Sequence, residues 1–87
     1  MMKIARTERF KKAYQSLSQT EKWQAQKAIR LLAEDLRHPS LGVKKIQGTG
    51  HIWEARVSRG CRMTFEMEGD TIVLRTVGEH DATLKKP

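Results

Sequence analysis

The hydrophobic period of this 87-residue sequence changes once, at His38-Pro39. Before that point, apolar residues recur every three or four positions, a spacing typical of amphipathic helices. After it, apolar and polar residues alternate, which is typical of strands with one face in a core. We therefore predict a single domain over residues 1–87 of the α+β class, in which a helical hairpin packs on a small twisted, mainly antiparallel β-sheet.

Capping residues predict where the two helices begin. Thr7 precedes a segment with a helical apolar stripe, and its hydroxyl can cap that helix. The tetrapeptide Ser18-Gln19-Thr20-Glu21 is a capping box, in which the first and last residues each bind a backbone amide of the other. The second helix is predicted to run to about Leu36, because the residue before Pro39 is disfavoured in the helical region.

Alternation predicts three strands, and a shorter segment near the start is a further candidate. The segments are residues 52–57, 62–67, 71–77 and 2–6. The apolar sets of the first two strands share one side of the sheet only if Val57 lies opposite Cys61. That register leaves Ser58-Arg59-Gly60 as a three-residue loop, with Gly60 in the left-handed conformation that such loops commonly need.

The same register decides which side chains face away from the helices. It places Arg56 opposite Arg62 and Glu54 opposite Thr64. The following strand, entered through a tight turn, then brings Arg75 near Thr64 on the same face. The side toward the helices is predicted to carry Trp53, Ala55, Val57, Met63, Phe65, Ile72 and Leu74.

Charge and composition narrow the choice of partners. The chain has 17 Lys plus Arg and 10 Asp plus Glu, a formal net charge of +7. A small protein this basic is attracted to phosphate polymers and to acidic partners. No apolar run is long enough to span a membrane, and the first residues lack the apolar stretch of a secretory signal. With a single cysteine, Cys61, an internal disulfide is excluded, and we expect a cytoplasmic protein.

The arginines of the polar sheet face, Arg56, Arg62 and Arg75, have two interpretations. They form either a solvated surface or an anion cradle, since guanidinium groups bind phosphate oxygens in pairs. Two like charges opposed across a ladder are destabilising, which favours a bound anion. Lys44-Lys45 would extend the cradle along a nucleic-acid backbone, although a pair of lysines is also typical of a solvated loop.

Histidine and cysteine positions suggest proton transfer rather than metal binding. His80 follows the last strand, near the strand end that holds Arg75, and its imidazole can exchange protons near neutral pH; a plain surface histidine is the alternative. The three histidines and Cys61 do not approach a zinc-ligand spacing, so we expect no metal and no other cofactor. Cys61 lies on the predicted core face and is interpreted as a packing residue.

Four segments, in this order and spacing, resemble the RelE/ParE superfamily of bacterial toxins, the toxic halves of type II toxin–antitoxin pairs. They are VKKIQG (43–48), IWEARV (52–57), CRMTFE (61–66) and VGEHD (77–81). The resemblance covers nearly the whole chain and implies two helices followed by an antiparallel sheet. It also implies a cognate antitoxin as partner, ribosome and mRNA as targets, and a toxin that is monomeric when free.

The resemblance assigns roles to individual residues. Arg62 matches the arginine with which the RelE branch holds the scissile phosphate, and His80 is placed like a histidine that some members use for proton transfer. Arg56 matches a basic strand residue, and Glu54, where RelE has a lysine, is the best available base on that face. Leu84 stands where many members have an aromatic residue.

The function implied for this branch is a metal-independent, ribosome-dependent endoribonuclease. The mRNA 2′-hydroxyl would attack the adjacent phosphate, with Arg62 and Arg56 stabilising the charge, His80 protonating the leaving oxygen and Glu54 as base. This mechanism requires Arg56, Arg62 and His80 to meet in one pocket. Two alternatives stay open: a ParE-like gyrase inhibitor without chemistry, and a basic nucleic-acid-binding module without strand scission.

Overall fold

A computed structural model describes residues 1–87 as five strands and three α-helices. The elements are β1 (Lys3–Arg6), α1 (Glu8–Gln15), α2 (Gln19–Glu34), a 3-10 turn (Pro39–Leu41), β2 (Lys44–Lys45), β3 (Trp53–Ser58), β4 (Cys61–Glu68), β5 (Thr71–Glu79) and α3 (His80–Lys85). The strands form one sheet in the order β1-β5-β4-β3-β2, and only the β1–β5 pair is parallel. The α+β class and the mainly antiparallel sheet are confirmed.

Both predicted helix caps are present. The Thr7 hydroxyl accepts a hydrogen bond from the Phe10 amide at 3.1 Å at the start of α1. At the start of α2, Ser18 Oγ accepts from the Glu21 amide, and the Glu21 carboxylate accepts from the Ser18 amide, both at 3.1 Å. Each bond satisfies an amide that has no partner inside its helix, which fixes where the helix begins.

The second helix stops earlier than predicted, at Glu34 rather than about Leu36. Asp35 has φ −152° and ψ 92°, outside the helical region, and its carboxylate accepts the Arg37 amide at 3.1 Å. A short polar side chain competes with the helical backbone in this way. Pro39 therefore begins the 3-10 turn and does not itself end α2.

The core lies between α1, α2 and one face of the sheet, here called the inner face. Phe10, Leu32, Met63 and Phe65 are almost completely buried in it. Burying a side chain of this size contributes about 1.5–3 kcal/mol relative to leaving it exposed. The cluster also contains Ala28, Ile29, Leu41, Ala55, Cys61, Ile72, Leu74 and Val77, with Trp53 and Val57 partly buried against it. The predicted apolar face is confirmed.

The register of β3 and β4 agrees with the prediction away from the turn. Arg56 lies opposite Arg62, and Glu54 lies opposite Thr64. These residues belong to the opposite face of the sheet, here called the outer face. The alternation of apolar residues was therefore sufficient to fix strand pairing in this part of the chain.

At the turn itself the prediction is wrong. Ser58, not Val57, lies opposite Cys61, and Val57 is the extra residue of a β-bulge. The bulge takes up one residue of β3, so the connection shortens to Arg59-Gly60. Gly60 is not among the glycines with positive φ, so the expected left-handed residue at this position is absent.

A second bulge changes the predicted pairing of β4 with β5. Thr76, rather than Arg75, lies opposite Thr64, and Arg75 is the additional residue between Leu74 and Thr76. A bulge shifts the alternation by one position. Leu74 and Val77 consequently both lie on the inner face, although they are three residues apart.

The short helix α3 was not predicted. Its N-cap is Glu79, whose carboxylate accepts the amides of Asp81 and Ala82 at 3.1 and 2.9 Å. It packs on the outer face beside Gly78. The approach is close, since a Cβ placed on this glycine would lie 3.1 Å from Thr83 Oγ1. None of the helices combines the length and apolar composition needed to cross a bilayer.

Candidate active site

Two of the predicted catalytic residues are held by one turn, formed by residues 58–61. Arg62 Nη1 donates to three carbonyls of this turn, at 2.6, 3.1 and 3.1 Å. The remaining carbonyl, that of Gly60, accepts the backbone amide of His80 at 2.9 Å. The structure therefore brings the side chain of Arg62 and the backbone of His80 to the same turn, although the two residues are 18 positions apart in the sequence.

Arg62 keeps part of its guanidinium available. Nη1 is engaged with the turn, whereas Nε and Nη2 make no hydrogen bond within the chain. The side chain as a whole is only 14 % exposed. The Nε–Nη2 edge of a guanidinium can bind two phosphate oxygens through parallel hydrogen bonds. Anchoring through Nη1 gives that edge a fixed direction.

Glu54 lies beside Arg62 and is itself buried. Its Oε1 is 3.9 Å from Arg62 Nε, and the residue is 7 % exposed. A glutamate is rarely this buried without a partner, and the nearby guanidinium provides the opposite charge. The pair sets one carboxylate and one guanidinium edge side by side on the outer face.

The His80 imidazole is oriented by its neighbour. Nδ1 lies 2.8 Å from Asp81 Oδ1, and the side chain is 43 % exposed. A carboxylate at Nδ1 fixes the orientation of the ring, which leaves Nε2 to face a ligand. An accessible imidazole whose backbone is bound to the turn that anchors Arg62 is a candidate for acid–base chemistry on a phosphate ester.

Arg56 does not join this group. Its Cα lies opposite that of Arg62, but its guanidinium lies beside Gly42, 3.6 Å from where a Cβ of that glycine would be. There the side chain leans toward the sheet edge and lines a groove with Lys27 and Leu31 of α2. β2 pairs only with the first two residues of β3, so the edge beside Arg56 is open and admits the side chain. The structure thus does not place all three predicted groups in one pocket.

No protein-family model and no curated protein matches this sequence, but solved structures match its fold. YafQ from E. coli superimposes with a TM-score of 0.77 over 94 % of this chain and 97 % of YafQ, at 15 % identity. A chain of the RelB–RelE antitoxin–toxin complex from Methanococcus jannaschii gives 0.76 over 95 % and 99 %, at 20 % identity. The isolated RelE toxin of E. coli gives 0.73 over 93 % and 86 %, at 19 % identity.

This chain has the RelE/ParE toxin fold. The fold implied by the resemblance of the four segments is thereby confirmed. At identities of 20 % or less, the match describes the path of the chain and not the chemistry of its side chains. The chemistry of the site in this RelE-like fold depends on the side chains of this chain.

In this RelE-like fold the two predicted RNA-binding lysines lie on opposite sides of the sheet edge. Lys44 is exposed and pairs with Glu54, on the outer face. Lys45 pairs with Trp53, and its Nζ lies 5.2 Å from the centre of the indole ring. Successive strand residues point to opposite faces. Only Lys44 is therefore positioned to extend the surface around Arg62.

Arg75, the third predicted RNA-binding residue, is already engaged. Its Nη1 forms an ion pair with Glu66, and its Nε donates to the main-chain oxygen of Pro87 at 3.1 Å. The other carboxylate oxygen of Glu66 lies 3.6 Å from His51 Nε2. These contacts hold Arg75 against the outer face, 29 % exposed, away from the turn that holds Arg62.

The position of Cys61 agrees with its interpretation as a packing residue. Cys61 is fully buried on the inner face, and burial, followed by the charge of Glu21, raises the pKa of its thiol to about 11. A thiol that stays protonated at neutral pH is a poor nucleophile, which agrees with the packing interpretation. No group of three or more His, Cys, Asp or Glu side chains lies close enough to hold a metal ion.

Asp81 belongs to the candidate site but was not predicted from the sequence. It lies directly after His80, and the signal available for it was the helix start Glu79-His80-Asp81, in which Glu79 caps α3. A helix beginning at His80 places Asp81 within reach of the imidazole. Because α3 was not predicted, no local pattern indicated that these two side chains pair.

Proposed function

We propose that this chain is the toxin of a type II toxin–antitoxin pair and cleaves mRNA on the ribosome without a metal ion. The observation that carries the proposal is the joint anchoring of Arg62 and His80 on the turn of residues 58–61. The anchoring supports placing a guanidinium edge and an imidazole within reach of one phosphate. The RelE-like fold supports the same assignment, and a protein acting on ribosomes would work in the cytoplasm.

In the proposed reaction, the 2′-hydroxyl of a ribose attacks the adjacent phosphate and the 5′-oxygen leaves. The products are a 2′,3′-cyclic phosphate and a free 5′-hydroxyl. The Nε–Nη2 edge of Arg62 binds the phosphate oxygens as negative charge develops, and His80 Nε2 protonates the leaving oxygen. Asp81 holds the imidazole for this transfer. Removing one such well-placed donor costs about 10²–10³ in rate.

Glu54 is assigned as the base for the 2′-hydroxyl. A phosphate held on Arg62 would place its ribose near the Glu54 carboxylate, which lies 3.9 Å from Arg62 Nε. Arg56, whose guanidinium lies at the sheet edge, and the exposed Lys44 would bind neighbouring phosphates of the same strand. Arg75 can join them only by exchanging its present partners.

An antitoxin is the second proposed partner. A chain of an antitoxin–toxin complex is among the matching structures. The net charge of +7 favours an acidic partner segment that orders on binding and covers the site. Binding of this kind would keep the toxin inactive until the partner is removed.

The decisive experiment measures mRNA cleavage on translating ribosomes with Arg62→Ala and His80→Ala. Each is expected to lower the cleavage rate about 10²–10³-fold, with cyclic phosphate ends in the residual product. Arg30→Ala, on an exposed position of α2, is the matched control and should cleave normally.

Two other outcomes would replace the proposal. Inhibition of purified gyrase that persists in His80→Ala would identify a ParE-like inhibitor. Salt-sensitive RNA binding without scission, unchanged in His80→Ala, would identify a binding module, since phosphate contacts weaken as salt rises. Equal cleavage by the wild type and both variants would remove the assigned roles.

A further inference from the structure

The helix that carries His80 has almost no apolar attachment to the rest of the protein. Thr83 is its only buried residue, and none of its side chains belongs to the core cluster or to the apolar residues packed against it. A helix of six residues is too short to be stable alone in water. α3 must therefore be held by polar contacts at its two ends.

The first end is fixed by the contacts already described. The His80 amide donates to Gly60, and the Glu79 carboxylate caps the helix. These bonds position the backbone of His80. They leave the opposite end of α3 free unless something else holds it.

The second end is held through main-chain oxygens just after the helix. The Pro87 oxygen accepts Thr64 Oγ1 at 2.9 Å and Arg75 Nε at 3.1 Å, and the Lys86 oxygen accepts Arg9 Nη2. The three donors come from α1, β4 and β5, so three elements converge on two consecutive main-chain oxygens.

Thr64 makes this attachment specific. It is completely buried, and the bond to Pro87 is the one hydrogen bond that its hydroxyl makes. A buried hydroxyl without a partner is unfavourable, so the outer face has a fixed requirement for an acceptor at this point. Arg9 belongs to no ion pair, which leaves the Lys86 oxygen as the acceptor for its guanidinium.

We infer that Arg9 and Thr64, together with Arg75, are positioning residues: by binding the main chain at Lys86-Pro87, they hold α3 and so keep His80 at the turn of residues 58–61. The effect on catalysis rests on the proposed function. The effect on the helix does not. Arg75 is also an assigned RNA contact, so the test uses Arg9 and Thr64.

The structural test compares amide hydrogen exchange in Thr64→Val and Arg9→Gln with that in two matched controls. Thr76→Val removes the hydroxyl of the residue opposite Thr64, which makes no hydrogen bond within the chain, and Arg6→Gln removes an exposed charge near Arg9. The His80 amide is expected to exchange about fivefold faster in each test variant, the effect of one lost hydrogen bond. The double variant should show roughly 25-fold if the two effects add.

The comparison with a core amide makes this test selective. In the test variants, exchange at Met63, in the middle of β4, should change less than exchange at His80. In the two controls, exchange at Met63 should not change. Equal acceleration at both amides would mean general destabilisation, and unchanged exchange at His80 would mean that the attachment does not hold α3. Either result overturns the inference.

The functional test uses cleavage on ribosomes. Thr64→Val and Arg9→Gln should lower kcat several-fold with little change in KM, because the site still binds RNA while His80 is less often in place. Neither substitution should lower kcat further in a protein that already carries His80→Ala. If hydrogen exchange responds but no variant or wild type cleaves RNA, the proposed function fails and the attachment stands. A fall in kcat that persists without His80 would overturn the positioning role.

Discussion

On its inner face the sheet carries Met63 and Phe65, completely buried against two helices, whereas on its outer face Glu54 and Thr64 are also buried but polar. The inner residues need only apolar neighbours of suitable shape. Each outer residue needs a particular partner: Glu54 has Arg62, and Thr64 has the main chain at Pro87. The stability of the inner face thus depends on close packing, whereas that of the outer face depends on matched hydrogen bonds and charges. The two faces should therefore respond differently to substitution.

The largest expected effect is on the inner face. Phe65→Ala should lower the free energy of unfolding by about 3–5 kcal/mol, because it leaves a cavity among residues that cannot fill it. Met67→Ala is the matched control on the same strand, since Met67 is 40 % exposed, and it should cost much less. Urea denaturation measures both. Similar losses for the two variants would show that the inner face is not closely packed.

The next effect tests the outer face. Glu54→Gln keeps the side-chain shape but leaves the guanidinium of Arg62 without its neighbouring carboxylate, and should cost about 1–3 kcal/mol. Glu66→Gln breaks a more exposed ion pair, that with Arg75, and should cost less than about 1 kcal/mol. Denaturation at low and high salt separates them. A Glu54→Gln protein as stable as the wild type would contradict the view that charge pairing holds this face.

A smaller effect is expected where a helix of the inner layer begins. Ser18→Ala removes the hydroxyl that accepts the Glu21 amide and should cost about 1 kcal/mol. Ser16→Ala, two residues earlier, removes a hydroxyl whose one hydrogen bond, to the Lys12 carbonyl, is long at 3.4 Å, and should change stability by less than about 0.5 kcal/mol. Thermal unfolding of the two variants gives the comparison, and equal melting temperatures would mean that the cap contributes nothing.

The last effect, which appears only at high pH, concerns Cys61. Its pKa is raised from 9.0 to about 11 in the folded protein, so the folded state holds this proton more tightly than the unfolded state. The resulting stabilisation is complete below pH 9 and is lost as the pH rises through 11. The difference in stability between the wild type and Cys61→Ala should therefore shrink over that range. A difference that is constant with pH would contradict the raised pKa.

The inner face could be predicted from the sequence because it follows from periodicity. The capping box at Ser18-Gln19-Thr20-Glu21 and the pairing of Arg56 with Arg62 were both predicted from local spacing and both are present. Such features depend on residues that are close in the sequence or regularly spaced. Short-range physical rules are sufficient for them.

The outer face could be predicted only in part. That Arg56 turns toward Gly42 depends on how far β2 extends, and the hold on α3 depends on Thr64 meeting a residue 23 positions later. Contacts of this kind leave no local pattern. One signal was present but not used: the apolar positions of the last strand change phase between Leu74 and Val77, as an additional residue requires.

That additional residue, Arg75, has no partner on β4, since Leu74 lies opposite Phe65 and Thr76 lies opposite Thr64. If the codon for Arg75 were lost, these two pairs would become neighbours in an unbroken ladder, and Val77 would keep its place on the inner face. If the codon for Met63 were lost instead, Arg62 would take an inward-facing position and its guanidinium would be turned toward the core. We expect a single-codon deletion at Arg75 to be tolerated far better than the same deletion at Met63.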